Sequence, residues 1–394
     1  MPKRISFLQG FSIEKLSSVI SDNNILVLEK VSKDVIKIIK DVEKKGDKAL
    51  IDYTKKFDNF DIADMGFEFS NKEIKLAWND CSNQDIEALK FAASRIKEYH
   101  ERQLPKDSYY TDELGVNLGF RWRPIEKCGI YVPGGHASYP SSVLMNALPA
   151  KVAGTKELIM TVPTPNGEIN PLVLVAADIV GVDKIYRIGG AQAIAALAYG
   201  TDLVEKVDKI VGPGNIWVNA AKKYLFGKVG IDLIAGPSEI LVVADKFNDP
   251  EWIAFDLLSQ AEHDVNARSI LISNDRDFSI AVESAINKII KRMPRKNIAS
   301  KSWNNNGIII NIKSLKDASK IINILAPEHL EIAVSNPESV LSSVTNAGAI
   351  FIGNYTPEAI GDYIAGPSHV LPTSGTAKFS SGLSVYDFLK RQSV

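Results

Sequence analysis

The feature that most constrains the fold is a regular alternation of short apolar runs and helix-like segments, which begins at Gly129 and continues through the second half of the chain. The strand-like runs are 129–132, 157–162, 184–188, 209–211, 231–234, 239–244, 268–273, 307–312, 329–334 and 349–352. Short apolar strands that alternate with helices are typical of βαβ units, which build parallel sheets. The pattern predicts two similar α/β halves, from about Gly129 to Ala235 and from about Gly236 onward.

The first 110 residues carry a helical pattern instead. Apolar residues recur at helical spacing from Ser32 to Phe57, with a break predicted near Gly46. Ser82 followed by Asp85 is typical of a helix start. Alternating residues over 116–122 then predict a half-buried strand.

Composition excludes several classes of protein. Hydrophobic residues make up 45% and charged residues 24%, which excludes a disordered, collagen-like or coiled-coil chain. The net charge of −1 disfavours a nucleic-acid partner. No apolar stretch is long enough to span a membrane and the N-terminus lacks the apolar core of a signal peptide, so we expect a soluble cytoplasmic protein. Cys81 and Cys128 are too few for a disulfide framework or a thiolate zinc site.

Four glycine-rich turns follow or precede predicted strands, where parallel sheets usually bind ligands at the carboxyl ends of their strands. They are 133–136 (PGGH), 189–192 (GGAQ), 212–215 (GPGN) and 236–239 (GPSE). None has the dinucleotide fingerprint GxGxxG, and the chain has no P-loop motif. Each turn alone is explained by tight packing, whereas the four together predict a nucleotide-sized anionic ligand whose identity they leave open.

Three polar segments are candidates for chemistry. Gln260 and His263 lie three residues apart near a helix end, as two ligands of one metal would. Glu328 and His329 precede a strand, and both can face one site only at the strand's entry. Asp362 lies in a predicted loop. A helix cap and a turn aspartate are the simpler alternatives for His263 and Asp362, and the ligand types fit manganese as well as zinc.

Five segments resemble, in order along nearly the whole chain, the motifs of the histidinol dehydrogenase family. They are 129–135 (GIYVPGG), 231–240 (IDLIAGPSEI), 256–263 (DLLSQAEH), 326–331 (APEHLE) and 366–375 (GPSHVLPTSG). His100, which lies outside them in a charged stretch, we assign to the surface.

The resemblance implies an α/β fold of two incomplete Rossmann-like domains with parallel sheets, plus N-terminal helical segments. It divides the chain into an N-terminal helical segment (1–25), a larger discontinuous α/β domain (26–128 and 236–380), a smaller α/β domain (129–235) and the start of a C-terminal tail (381–394). The family's domains lack the usual glycine fingerprint, in agreement with its absence here. The resemblance further implies a homodimer.

The activity that the resemblance implies is the oxidation of L-histidinol to L-histidine through L-histidinaldehyde, with zinc and two NAD, at the end of histidine biosynthesis. His329 matches the family's general base, and Glu328 matches the acid/base that activates water on the aldehyde. The matching metal ligands are Gln260, His263 and Asp362. The matching substrate contacts are Ser238, Gln260, His263, His329, Asp362 and His369. The matching NAD-binding positions are Tyr131, Gln192 and Asn215.

One departure from the family concerns the tail. In the family, a tail of the neighbouring subunit supplies a glutamate and a further zinc-binding histidine, whereas this sequence has no histidine after His369 and no glutamate after Glu358. We therefore expect three zinc ligands and one open position. Two alternatives remain: a related zinc/NAD dehydrogenase of another small polyol or sulfonated alcohol, and a catalytically impaired homologue that acts as a binding or assembly subunit.

Overall fold

The computed structural model describes residues 1–17, 24–134 and 139–394, without the side chains of 24–29 and 64–65. His136 and part of the first glycine turn therefore lie outside the described residues. The chain divides into two units. The first comprises Met1–Asn24, Ala235–Asp362 and Leu371–Gly382, and the second comprises Ile25–Ile234, Tyr363–Val370 and Leu383–Val394.

Fourteen strands and sixteen α-helices are described. The strands are β1 (Lys3–Phe7), β2 (Ser108–Thr111), β3 (Asn117–Pro124), β4 (Lys127–Tyr131), β5 (Glu157–Thr161), β6 (Lys184–Tyr186), β7 (Lys209–Val211), β8 (Gly230–Ile231), β9 (Glu239–Ala244), β10 (Arg268–Ser273), β11 (Ile308–Ile312), β12 (His329–Ala333), β13 (Ala349–Ile352) and β14 (Leu389–Ser393). The helices are α1 (Ile13–Ser17), α2 (Asn24–Lys45), α3 (Asp47–Asp58), α4 (Ile62–Met65), α5 (Asn71–Asp80), α6 (Asn83–Glu101), α7 (Pro140–Ala153), α8 (Pro171–Val180), α9 (Gly190–Tyr199), α10 (Ile216–Leu225), α11 (Pro250–Ala261), α12 (Arg276–Ile289), α13 (Lys296–Asn306), α14 (Ala318–Leu325), α15 (Glu338–Leu341) and α16 (Glu358–Ile360). A π-helical turn, Gly361–Ala365, continues α16.

The first unit is built on a six-stranded parallel sheet with the order β1-β11-β10-β9-β12-β13. From β9 the chain moves to β10 and β11 on one side and later returns to β12 on the other, so the strand order reverses between β9 and β12. Alternate residues of β9 pack on opposite faces, as the period of a strand requires. Ile240 and Val242 join the core beneath α11 and α12, whereas Leu241 and Val243 join the isoleucine-rich core of the other face.

The second unit contains a five-stranded parallel sheet with the order β6-β5-β4-β7-β8 and a separate antiparallel sheet with the order β14-β3-β2. Both faces of the parallel sheet are covered, because Ile130 and Met160 lie in one apolar cluster and Tyr131 and Ile159 lie in the other. Burial on both faces explains why these strands are almost continuously apolar. The α/β fold class with parallel sheets is thereby confirmed.

Several local predictions are also confirmed. Gly46 separates α2 from α3 with a φ of 54°, a backbone conformation that favours glycine. Ser82 caps α6, and its side chain accepts a hydrogen bond from the backbone N–H of Asp85. Both cysteines are free.

The N-terminal residues differ from the helical segment predicted for 1–25. Residues Lys3–Phe7 form a strand that pairs in parallel with β11, and only Ile13–Ser17 is helical before the undescribed residues. The reason is the alternation of buried Ile5 and Phe7 with exposed neighbours, which suits the edge of a sheet whose other strands lie far along the chain.

The segment 26–128 also differs from its predicted place beside 236–380. It belongs to the same unit as 129–234, because the apolar faces of α5 and α6 pack against α7 and α8. The predicted tail, 381–394, contributes β14 to the antiparallel sheet of that unit.

The surface assignment of His100 is wrong. Its side chain is fully buried on α6, in the stripe that contains Ala93 and Ile96. Its Nδ1 lies 2.8 Å from Gln103 Oε1, and burial lowers the pKa of the imidazole. The charged residues around His100 in sequence lie on the exposed side of the same helix.

Among the described residues, no helix combines the length and the apolar character that crossing a membrane requires.

Candidate active site

Strand β12 and helix α11 form the frame of the site. His329 and Glu331 are two residues apart on β12 and share a face, and Asp256 and Gln260 are four apart on α11 and share a face. The two spacings, about 6.6 Å along a strand and about 6 Å along a helix, are nearly equal. Gln260 can therefore meet His329, with 3.4 Å between Nε2 and Nδ1, while Asp256 meets Glu331 in a side-chain hydrogen bond.

His329 is held from both ring nitrogens. Its Nδ1 donates to the backbone carbonyl of Glu239 over 3.0 Å, and its Nε2 lies 3.0 Å from Asp362 Oδ1. Burial by itself lowers the pKa of this imidazole. The carboxylates of Asp362, Glu328 and Glu358 outweigh burial and raise the pKa to about 10. Because a carbonyl only accepts, the bond to Glu239 makes Nε2 the nitrogen that exchanges a proton.

Glu328 lies next to His329 at the entry of β12 rather than within the strand. Ala326, with a φ of 47°, ends α14, and Pro327 leads the chain into the strand. The Glu328 side chain is buried, and its Oε2 accepts a hydrogen bond of 2.8 Å from the backbone N–H of Glu239. Its Oε2 is 3.7 Å from His329 Nδ1. Burial raises the pKa of Glu328 to about 8, so that the carboxyl can both give and take a proton near neutral pH.

Asp362 reaches the site on the π-helical turn, a type of turn often found at functional sites. A side chain at Gly361 would collide with the ring of Phe351, so glycine is required for the turn to pack this closely on β13. His329, Glu358 and Asp362 place one ligand atom each within 4.8 Å of one another. Burial and the charge of Asp362 raise the pKa of Glu358 to about 7, because two neighbouring carboxylates repel each other.

Gln260 closes the cluster at the end of α11, and His263 follows the helix without a side-chain hydrogen bond to the rest of the cluster in the described part of the chain. Gln260 Nε2 donates to Glu358 Oε1 over 2.6 Å, whereas Gln260 Oε1 is buried and has no hydrogen-bond partner among the described residues. Burial lowers the pKa of His263 and favours the neutral imidazole, the form that binds metals. The available donors are imidazole nitrogen, amide oxygen and carboxylate, a set that fits zinc and does not exclude manganese.

Parallel sheets usually bind ligands at the carboxyl ends of their strands, but this site lies at the opposite end. Glu239 and His329 are the first residues of β9 and β12, so the cluster lies at the amino ends of the strands. The glycine turn 236–239 shares this end. The turns at 189–192 and 212–215 follow β6 and β7, and these lie at the carboxyl ends of the five-stranded sheet, as predicted.

The predicted NAD-binding residues all lie in the second unit. Tyr131 ends β4 and is buried, and its hydroxyl accepts a 3.1 Å hydrogen bond from the backbone N–H of Gly190. Gln192 is buried in the first turn of α9, whose N-cap, Gly189, supplies no side-chain hydrogen bond. Asn215 caps α10, where its Oδ1 accepts from the backbone N–H groups of residues 217 and 218. The start of α9, where Gly189 offers no side-chain acceptor, suits a bound phosphate, whereas Asn215 already accepts from two N–H groups of α10.

The remaining two predicted substrate contacts, Ser238 and His369, belong to different units. Ser238 precedes β9 in the first unit, where its carbonyl accepts a 2.9 Å hydrogen bond from the backbone N–H of Arg268. His369 belongs to the second unit and contacts Tyr363 edge to face, with 6.2 Å between ring centroids. The structure thus brings Gln260, Glu328, His329 and Asp362 together.

Sequence reasoning missed Glu358, which contacts both Ser259 and Gln260. A signal was present, because Glu358 precedes Asp362 by four residues and this spacing places two side chains on one helical face. The backbone of Glu239, which orients both Glu328 and His329, carried no signal, since its role does not depend on the side chain.

Comparison with known proteins gives consistent results. The family model described as histidinol dehydrogenase matches residues 23–394. The chain is 58% identical over 354 residues to histidinol dehydrogenase of Ruegeria pomeroyi, covering 90% of this chain and 82% of that protein. It is 59% identical over 355 residues to that of Rhodospirillum rubrum, with the same coverage. The crystal structure of histidinol dehydrogenase from Elizabethkingia anophelis is similar with a TM-score of 0.93 and 36% identity, over 100% of this chain and 90% of that one.

Proposed function

The chain belongs to the histidinol dehydrogenase family, and on that premise we propose how its residues carry out the reaction. It is an oxidoreductase of histidine biosynthesis that oxidises L-histidinol. We assign the two proton transfers of this oxidation to His329 and Glu328. The high identity to several histidinol dehydrogenases favours this substrate over another small polyol or a sulfonated alcohol.

The observation that carries the proposal is the hydrogen bond from His329 Nδ1 to the carbonyl of Glu239. Hydride can leave the carbinol carbon only as the hydroxyl proton is removed, so the first oxidation needs a base. The anchored Nδ1 keeps the ring in one orientation and assigns proton transfer to Nε2. The charges of Asp362, Glu328 and Glu358 hold the pKa of His329 near 10, and a cation held by Asp362 would offset part of that charge and lower the pKa, so that Nε2 could take the proton. Burial excludes water from the imidazole, which prevents loss of the proton to solvent.

The second oxidation requires water to add to the aldehyde, and we assign activation of that water to Glu328. One carboxylate oxygen, Oε2, is fixed by the backbone N–H of Glu239, which leaves Oε1 to accept the water proton. A pKa of about 8 lies near the working pH, where a group transfers protons most effectively. This intact pair of acid and base favours an active enzyme over a catalytically impaired homologue.

The metal site would be formed by Gln260, His263 and Asp362. Gln260 Oε1 is buried with no hydrogen-bond partner in the described part of the chain, and this oxygen and the closely spaced carboxylates of Glu358 and Asp362 fit a bound cation. When bound, zinc supplies a Lewis acid that orients the imidazole and amine of the substrate. Ser238 and His369 are each proposed as substrate contacts on the family resemblance alone.

NAD, the hydride acceptor, would be held in the second unit by Tyr131, Gln192 and Asn215. The supporting observations are the start of α9, whose N-cap Gly189 offers no side-chain acceptor, and the hydrogen bond from the backbone N–H of Gly190 to the Tyr131 hydroxyl. We propose a homodimer on the family resemblance alone, and a cytoplasmic location from the sequence.

The test is an assay of NADH formation from L-histidinol by the purified chain. We expect two NADH for each histidinol consumed, with activity lost after chelation and restored by zinc. Absence of NADH with zinc-loaded protein, or a preference for an anionic diol over histidinol, would contradict the proposal.

A further inference from the structure

Glu358 has a place in the site that the reaction itself does not explain. Its side chain is 2% exposed, and its two carboxylate oxygens contact consecutive residues of α11. Gln260 Nε2 donates to Oε1 over 2.6 Å, and Ser259 Oγ lies 2.7 Å from Oε2. The carboxylate therefore spans the last turn of the helix that carries a proposed metal ligand.

A carboxylate beside an amide fixes which end of the amide faces it. Carboxylate oxygens accept hydrogen bonds, so only the NH₂ end of Gln260 can point toward Glu358. The carbonyl oxygen is then left for another partner. Gln260 Oε1 is buried and unpartnered among the described residues, which costs free energy unless a cation or a ligand occupies that place.

The contact also affects how strongly the amide oxygen binds a cation. A hydrogen bond from an amide N–H to an ionised acceptor is stronger than one between neutral groups, and it polarises the amide toward its oxygen. Partners of this kind orient metal ligands and raise their basicity. Without Glu358, either end of the Gln260 amide could turn toward the site.

We infer that Glu358 is a positioning residue that fixes the Gln260 amide so that its oxygen, not its nitrogen, is available to the metal. The inference rests on the proposed zinc site. It assigns Glu358 a role outside the metal's own ligands, although its oxygen lies within 4.8 Å of ligand atoms of His329 and Asp362. Oε1 accepts a hydrogen bond from Gln260, and Oε2 lies 2.7 Å from Ser259 Oγ, so both oxygens face α11, which favours positioning over ligation.

The experiment measures the zinc dissociation constant of the metal-stripped full chain by competition with a chromogenic chelator. Four variants are compared with the unsubstituted chain: Glu358→Ala, Glu358→Gln, Gln260→Ala and the double variant Glu358→Ala/Gln260→Ala. Glu338→Ala is the control, because it removes an exposed glutamate of α15 in the same unit. Thermal unfolding of each metal-free variant shows whether it folds.

We expect Glu358→Ala to weaken zinc binding by about 10- to 100-fold, the usual effect of losing such a partner. Glu358→Gln should retain most of the affinity, because its side-chain carbonyl can still accept from Gln260. The double variant should bind zinc no more weakly than Gln260→Ala alone, since Glu358 acts through Gln260. Glu338→Ala should not change the affinity.

Additive losses in the double variant would overturn the inference and identify Glu358 as a ligand. An unsubstituted chain that binds zinc, together with a folded Glu358→Ala variant of equal affinity, would overturn it while leaving the proposed function intact. Failure of the unsubstituted chain to bind zinc would refute the metal site and the inference with it.

Discussion

Replacing Glu331 by glutamine should stabilise the protein at neutral pH. Glu331 is 2% exposed on β12, and burial, together with the nearby charge of Asp256, raises its pKa from 4.5 to about 9. The unfolded chain loses this proton above pH 4.5, so folding at pH 7 must take it up again. Two and a half pH units at about 1.4 kcal/mol each give a cost of about 3 kcal/mol.

Glutamine donates an N–H to Asp256 without taking up a proton, so Glu331→Gln removes this cost. It also loses the stronger bond from a carboxylic acid to a carboxylate, and we therefore expect a net gain of roughly 1–3 kcal/mol at neutral pH. Whether the substitution stabilises or destabilises the protein depends on pH. A raised pKa stabilises the parent below pH 4.5 and this stability is lost as the pH rises toward 9, so the advantage of the variant should grow over that range.

The assay is urea denaturation followed by circular dichroism, with parent and variant compared at about pH 5.5 and about pH 7.5. Taking the difference between the two proteins cancels the titration of groups that do not interact with Glu331, such as Glu328, whereas Asp256 and Glu358 interact with Glu331 and contribute to the difference. Glu338→Gln, at an exposed position of α15, should show no pH-dependent difference. A Glu331→Gln advantage that stays constant or shrinks between the two pH values would refute the reasoning.

Three further substitutions test other parts of the structure. Lys222→Met should cost about 3–5 kcal/mol in thermal or chemical unfolding, because it leaves the Asp232 carboxylate buried without its partner. The same substitution should weaken NAD binding measured by calorimetry, because Lys222 Nζ donates to the carbonyl of Gly212 over 3.0 Å. Unchanged stability and unchanged NAD affinity would contradict these two expectations. His329→Asn should abolish alcohol oxidation but keep zinc content by elemental analysis, and loss of zinc would contradict its role as a base outside the metal's ligands. Glu328→Gln should slow oxidation of L-histidinaldehyde more than the first hydride transfer. It should also remove the increase in the rate of aldehyde oxidation as the pH approaches about 8. Equal slowing of both steps would count against the assignment of water activation to Glu328.

Much of the fold was predictable because it depends on local patterns. The α/β alternation, the helix break at Gly46 and the cap at Ser82 each follow from residues within a few positions of one another. β1 was not predicted, since its strand conformation requires the edge of β11, about 300 residues away. His100 was misassigned for a similar reason, because its charged sequence neighbours say nothing about the helices that cover its own face.

The candidate site shows the same division. Sequence motifs identified Gln260, Glu328, His329 and Asp362, and the structure brings these four together in one unit. Glu358 was missed because its importance comes from contacts with a helix about 100 residues earlier in the chain.

The sequence by itself determined the kinds of elements, their order and the chemical groups available for proton transfer and metal binding. Only the tertiary structure decided that these groups meet at the amino ends of β9 and β12, where the backbone of Glu239 orients both Glu328 and His329. It also decided that the pKa of Glu328 lies near 8 and that of His329 near 10. The physical reason is that desolvation and electrostatic interaction depend on all groups close in space, and those groups come from segments far apart in the chain.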